Sequence, residues 1–348
     1  MDKRVVLAVA GSGKTTSIIN DLQTDSRALI ITYTINNVEN IKKRIIRKFG
    51  LIPNGIKVYG YFSFLYTFCY KPILHVELNS KGLIWQKPPL RTKMTNRNHY
   101  FTRNDYIYAN RLAKLIINRS LAETINRVEK YFDYLYVDEI QDFGGNDFNF
   151  LVELGAAKLN QLLVGDFYQH TFDTSRDGNT NAKLHEDYVK YITRLSKSGH
   201  TIDRSTLSAS HRCSPTVCLF ISDKLKISIN SHRSDSTIIE FVSCEKDALR
   251  LFKDDEIVKL FYQSSNKYKC YGDNWGAVKG LDDFSDVCVV LNNITLKHYI
   301  ENTLHELPSK TINKLYVACS RARNKLYFVP EKNIRKFKGC SLSVYRCF

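Results

Sequence analysis

No Cys-x-x-Cys pair occurs among the nine cysteines, which stand at 69, 213, 218, 244, 270, 288, 319, 340 and 347. That removes zinc-knuckle and iron–sulfur readings, whose ligands come in such pairs. The thiols lie among apolar residues, as Cys288 does in VCVVL and Cys319 in YVACS, and read as buried, reduced side chains. No uninterrupted apolar stretch is long enough to span a bilayer. The first apolar run, Val5 to Ala10, leads into a glycine turn and not into a signal-peptide cleavage site. Internal repeats, long linkers and low-complexity tails are missing as well. These absences point to a soluble intracellular protein, of cytoplasm or nucleus, with no membrane partner.

Acidic residues are the minority among the charges. Asp and Glu number 35 against 51 Lys and Arg, a formal net charge of +16. A surplus of that size suggests a polyanionic partner, because each cation set against a phosphate releases a condensed counterion. Charge alone leaves an acidic membrane, or simply a basic enzyme, open. At 348 residues, with 43% apolar residues, 19 Phe and 21 Tyr, the chain can bury two cores.

Apolar runs recur at VVLAV from Val5, ALIITYT from Ala28, YLYVDE from Tyr134 and QLLVGD from Gln161, then at TIIEFVS from Thr237, DVCVVL from Asp286 and KLYFV from Lys325. Most are apolar throughout, as strands of a parallel sheet covered on both faces must be. Helical patterns lie between them. Thr15 to Leu22 is one, and Asn37 to Phe49 is another, with Val38, Ile41, Ile45 and Ile46 on one face. The alternation predicts an α/β fold with right-handed crossovers. Residues 81–111 are basic and turn-rich and read as an insertion. Residues 178–203 read as a helix and a connector to a second domain.

AVAGSGKTT, Ala8 to Thr16, follows the first strand and opens the first helix. Gly11 and Gly13 let the backbone turn so that its N–H groups, with those of Ala10, Ser12 and Thr16, point at phosphate oxygens, and the helix N-terminus adds partial positive charge. Lys14 reaches the β- and γ-phosphates, and the Thr15 hydroxyl is placed for Mg²⁺. The acidic half of an ATP site is supplied by YLYVDEIQDF. There Asp138 would hold the metal and Glu139 would orient and deprotonate the attacking water.

With these two motifs the sequence resembles the UvrD/Rep-type DNA helicases of superfamily 1, over nearly the whole chain and in the right order. IITYTINNVENIKKRI, from Ile30, resembles the motif that puts Thr32, Tyr33, Thr34 and Asn36 along a bound strand. VYGYFSFLY, from Val58, resembles the next strand-contacting motif and implicates Tyr61 and Ser63. LLVGDFYQHTFDTSRDG, from Leu162, resembles the coupling motif, with Gln169 on the γ-phosphate and Phe172 and Arg176 facing the strand. LSASHRCSP, from Leu207, implies Arg212 as a γ-phosphate contact and His211 as the ring against adenine. WGAVKGLDDFSDVCVVL, from Trp275, has Gly280 and Asp282 in its key places, and NKLYVACSRARNKLYFV, from Asn313, makes Arg321 the second arginine finger. The resemblance implies two RecA-like parallel-sheet domains, 1–200 with an insertion at about 70–125, and 201–348. It also implies catalytic roles for Lys14, Glu139, Gln169, Arg212 and Arg321 with ATP and Mg²⁺, and a 3′ to 5′ bias.

Departures from the family are informative too. The upstream glutamine motif is not among these residues, and the coupling motif lacks its base-stacking Trp. Gly276 stands where the family often has a strand-contacting His. Between Arg212 and Lys279 there is no space for the family's large second-domain insertion. The basic insertion offers Trp85, Tyr100 and Phe101 as stacking platforms, or is a solvated loop with core aromatics. Lys42, Lys43, Arg44, Arg47 and Lys48 read as the wet face of their helix. Two functions stay in view. One is an ATP-driven, monomeric translocase or helicase on single-stranded DNA, with RNA not excluded. The other is a nucleic-acid-stimulated switching ATPase that loads or regulates a partner protein.

Overall fold

The computed structural model describes residues 1–89, 92–171, 175–281 and 284–338. The chain divides into two compact units. The first holds Met1–Ala8, Lys14–Phe167 and Asp173–Thr206; the second holds Val9–Gly13, Tyr168–Phe172 and Leu207–Phe348.

Strands β1 (Lys3–Leu7), β2 (Ala28–Thr32) and β3 (Ile56–Gly60) open the first unit. A two-stranded parallel ribbon follows, β4 (Gly82–Ile84) with β5 (Tyr106–Tyr108). Then come β6 (Tyr134–Val137), β7 (Asn160–Gly165) and β8 (Thr201–Asp203). The main sheet runs β3-β2-β6-β7-β1-β8, with every pairing parallel. β2 is buried along its whole length, which is why its sequence is apolar without alternation. β8 lies in the stretch expected to be a connector.

Helix α1 (Lys14–Asp21) follows the glycine turn, and α2 (Ile35–Phe49) follows β2. Thr34 caps α2 by accepting the Asn37 N–H at 3.3 Å, and left-handed Gly50 ends it. Val38, Ile41 and Ile45 face the core as expected. Ile46 does not: it is 45% exposed, because the buried stripe is narrower than the sequence pattern suggested.

The second unit carries the short parallel pair β9 (Ala209–Ser210) and β10 (Asn230–Ser231). Its main sheet contains β11 (Ile238–Phe241), β12 (Val258–Phe261), β13 (Gly272–Asn274), β14 (Asp286–Leu291) and β15 (Lys325–Pro330), ordered β11-β15-β14-β12-β13 and again parallel. Trp275 is fully buried in this core, its indole N–H donating to the Leu260 carbonyl at 2.8 Å. Cys69, Cys213, Cys218, Cys288 and Cys319 are buried, as read from their apolar surroundings, whereas Cys244 is exposed and Cys270 half-buried. Among the described residues no helix is long and apolar enough to cross a membrane.

Candidate functional site

In the first unit the Asp138–Glu139 pair leaves the end of β6 and meets the start of α1. Thr15 Oγ1 donates to Asp138 Oδ2 at 2.8 Å, and the other Asp138 oxygen accepts the Glu139 N–H at 2.9 Å. Glu139 adopts a left-handed backbone, φ 57°, uncommon for a residue with a Cβ. Its carboxylate lies 3.8 Å from Lys14 Nζ. Burial is the main cause that pushes the Asp138 carboxyl above the usual carboxylate range; the Glu139 charge adds to it, and the Thr15 hydroxyl and Lys14 pull the other way. Hard oxygens from a hydroxyl and a carboxylate, in contact beside an ammonium, are a donor set that fits Mg²⁺ and phosphate.

Gln141 holds this group from behind. Its amide N–H₂ donates to the Glu139 carboxylate, and its carbonyl accepts the Asp166 N–H at 3.0 Å. Gln141 is fully buried, in space left by Gly165, where a Cβ would come 2.5 Å from Gln141 Oε1.

The basic face of α2 is not simply wet. Arg44 Nη1 donates to Thr16 Oγ1 at 2.9 Å, so Thr16 is engaged by the neighbouring helix. Lys48 Nζ donates to the carbonyls of Ile19, Asn20 and Leu22 at 2.8, 3.0 and 2.7 Å, closing the C-terminal end of α1. The solvated reading is corrected for these two residues. A cation spaced to reach the last turn of the preceding helix was the available signal.

Within the second unit, Gly11 at φ 72° accepts the His211 N–H at 2.9 Å, and a Cβ there would meet Arg212 Cβ at 2.7 Å. Ala10 N–H donates to the Tyr316 hydroxyl at 2.8 Å, and Ser12 Oγ donates to the Val9 carbonyl at 2.9 Å. Gly13 is also left-handed, φ 90°. The exposed His211 ring stacks on His232, with centroids 4.1 Å apart. Arg212 is buried and Nη1 donates to the Ser320 carbonyl at 3.3 Å. Arg321 is buried too, donating from Nε to Val317 O at 3.3 Å and from Nη1 to Leu281 O at 2.7 Å. Gln169 is buried, and Gly280 turns left-handed at φ 81° with open space where a Cβ would sit. Phe172 and Asp282 lie outside the described residues.

The residues expected along a strand separate into two groups. Thr34, Asn36, Ser63 and Arg176 lie at or near the surface, and the Arg176 carbonyl accepts from Asn110 Nδ2 at 2.8 Å. Thr32 and Tyr61 are interior, Tyr61 with 1% exposure, so their side chains are corrected from contacts to supports. Tyr61 stacks beneath half-buried Tyr33, centroids 5.6 Å apart, and Phe62 and Phe143 stand edge-on to Tyr33 at 5.6 and 5.5 Å. The Tyr33 hydroxyl donates to Asp147 Oδ2 at 3.3 Å. Asp147 is fully buried, which pushes it up to about 7 against the pull of the Ser175, Tyr61 and Tyr33 hydroxyls. In the insertion, Tyr100 and Phe101 are buried, Tyr100 bonded by Asn118 and Phe101 under the Arg97 guanidinium at 4.2 Å. Neither is a platform. Trp85 is 70% exposed.

Two parallel-sheet units, a glycine turn into a helix bearing Lys14 and Thr15, and an Asp–Glu pair on β6, which is separated from β1 by β7, define a RecA-like P-loop architecture of superfamily 1 helicase type. Residues 113–330, more than half of the chain, match the viral superfamily 1 RNA helicase core domain. The chain belongs to that family. Superfamily 1 is therefore as expected, and the matching family carries a viral RNA helicase description, not the UvrD/Rep one.

Among solved structures, the chain is similar to nonstructural protein 10 (helicase) of an arterivirus in a complex with DNA, at 12% identity and a TM-score of 0.50, over 94% of this chain and 60% of that one. It is similar to the PRRSV helicase at 13% identity and a TM-score of 0.47, over 97% of this chain and 54% of that one. The chain thus spans 54% to 60% of the length of these helicases, and the likeness is one of fold. No curated protein matches by sequence.

Proposed function

We propose that the chain is an ATP-driven motor that moves along single-stranded nucleic acid as a monomer, with Mg²⁺ as cofactor. The observation that carries the reading is the group Lys14, Thr15, Asp138 and Glu139, closed by 2.8 Å and 3.8 Å contacts. At 3.8 Å the Lys14–Glu139 pair is loose. A triphosphate carries more charge than one carboxylate, so it draws the ammonium away and leaves Glu139 to orient the attacking water and take its proton. Thr15 and Asp138 would hold the metal, which when bound neutralises charge on the phosphates. Arg212 and Arg321 act on charge that develops in the transition state, and Gln169 reports the γ-phosphate to the strand residues.

Thr34, Asn36, Ser63 and Arg176 are suited to phosphates, and aromatic stacking meets any base face. Neither contact asks for a ribose 2′-hydroxyl, so we propose that DNA and RNA both serve, with ATPase rates within about tenfold of each other, or roughly 1.4 kcal/mol. The 3′ to 5′ direction rests on the UvrD/Rep resemblance alone. ATPase rates with single-stranded DNA, single-stranded RNA and duplex test the reading, and Glu139→Gln should bind ATP yet fail to turn over. Near wild-type hydrolysis by Glu139→Gln would remove the assigned base. Displacement from a 3′-overhang duplex, and not from a 5′-overhang one, tests direction. Strand-stimulated hydrolysis with no displacement from either would identify a switching ATPase.

A further inference from the structure

The residue best built to meet a base lies outside every motif. Trp85 stands directly after β4, whose pairing with β5 fixes its backbone; the Lys81 N–H adds a 2.9 Å bond to the Asp105 carbonyl. β5 runs straight into the helical segment Ala109–Tyr131, which is kinked at Ser120, so the ribbon is tied to the helical turns before that kink. The indole is 70% exposed and packs on one ring: its centroid is 4.6 Å from the Phe62 ring, near perpendicular at 78°. Phe62 is edge-on to Tyr61 at 5.3 Å and to Tyr33 at 5.6 Å. Rings therefore run without a gap from the interior, through Tyr33, to an indole in water.

A scattered exposed aromatic needs no explanation. This one is the outer end of a packed ladder, and the segment that carries it has charge of one sign along its sequence. From Lys81 to Arg103 the sequence contains no acidic side chain, while Lys81, Lys87, Lys93 and Arg103 are exposed. We propose that Trp85, backed by Phe62, is a base-stacking platform for single-stranded nucleic acid and extends the strand path from Tyr33 onto the insertion. The inference rests on the motor reading above. An indole offers the largest stacking face of any side chain, one packed against a neighbouring ring has less freedom to lose on binding, and the lysines and arginine of the same segment can follow the backbone.

The chain contains two tryptophans, which makes the test direct. Trp275 is fully buried and hydrogen-bonded, so only Trp85 can meet an added strand. The whole chain is titrated with oligo(dT) and oligo(U) while tryptophan emission is read. Anisotropy of a labelled strand reports binding independently, and Trp85→Phe supplies the Trp275 background. The expected result is quenching of the Trp85 emission in step with anisotropy. Trp85→Ala should weaken strand affinity about 5- to 160-fold, the equivalent of roughly 1–3 kcal/mol per stacked base, with strand-free ATPase unchanged. Trp85→Phe should keep most of the affinity. A strand that binds while Trp85 stays silent, or Trp85→Ala affinity within twofold of wild type, overturns the platform and leaves the motor reading standing. Failure of either strand to bind by anisotropy removes both. Quenching by phosphatidylserine vesicles but not by a strand would instead make this a lipid-facing residue and overturn the proposal.

Discussion

Replacing Gln141 with Leu removes two contacts at once while keeping the side-chain volume roughly constant. The Asp166 N–H loses its 3.0 Å acceptor in a buried place, and the Glu139 carboxylate loses the amide that holds it. Losing a hydrogen bond in a buried place costs about 1 kcal/mol, which for a chain of this size lowers the melting midpoint by a few degrees. The catalytic effect is separate. Glu139 keeps its left-handed backbone, but its carboxylate loses one of the contacts that set its orientation beside Lys14, 3.8 Å away. Losing a hydrogen bond to a charged group is worth about 1.5–3 kcal/mol, so kcat should fall roughly 10- to 150-fold. The assay is steady-state hydrolysis at saturating ATP and single strand, alongside a thermal melt. A double-mutant comparison isolates the cause: in a Glu139→Gln background, Gln141→Leu should lower kcat little further, because what it positions is already gone. A folded Gln141→Leu with kcat within twofold of wild type, or two fully additive losses, would refute the positioning argument.

Arg321→Ala should lower single-turnover hydrolysis about 10³-fold or more with a smaller change in nucleotide affinity, and a loss of only a few-fold would remove it from the site. Reversing the charge of Lys93 and Arg103 together should flatten the log–log salt dependence of strand binding by about 1.4, at roughly 0.7 ion per phosphate, and an unchanged slope would make the insertion a bystander. Arg97 is left out because it is paired with Asp105 at 2.6 Å, and Arg91 lies outside the described residues. For Asp147, held near 7 in the fold against an ordinary carboxylate near 4, the proton is kept by the folded chain while the unfolded chain releases it. Its stabilising contribution is complete below pH 4 and is lost as pH rises through 7, so Asp147→Asn should gain melting temperature on wild type between pH 5 and 8, and parallel curves would contradict the burial argument.

Much of this was legible in the sequence for a physical reason. Strands buried on both faces, such as β2 and β14, have no polar alternation to hide them, and a phosphate loop needs glycine at fixed places. The edge strands β3 and β8 were missed because one face is wet and IKVYG and TID carry no continuous apolar run. β12 was missed because Lys259 interrupts VKLF. It is fully buried, its ammonium bonded to the Asp254 carbonyl, and burial lowers its pKa. Nor could one-dimensional spacing reveal that Tyr61 turns inward while Trp85 turns outward. The left-handed Glu139 and the Gln141 brace follow from how β6 meets β7, a fact of packing that local composition does not encode.

The hold of α2 on α1 has a mechanical meaning. Lys48 pins one end of the nucleotide helix by three carbonyls, and Arg44 catches the other beside Lys14. The two helices are therefore tied near both ends of α1, and sliding one over the other would break these contacts. At 1.5 Å per residue, Arg44 lies about 12 Å along α2 from Asn36. A tilt of α1 at Thr16 would be felt, through Arg44, along α2 toward the end that carries Thr34 and Asn36.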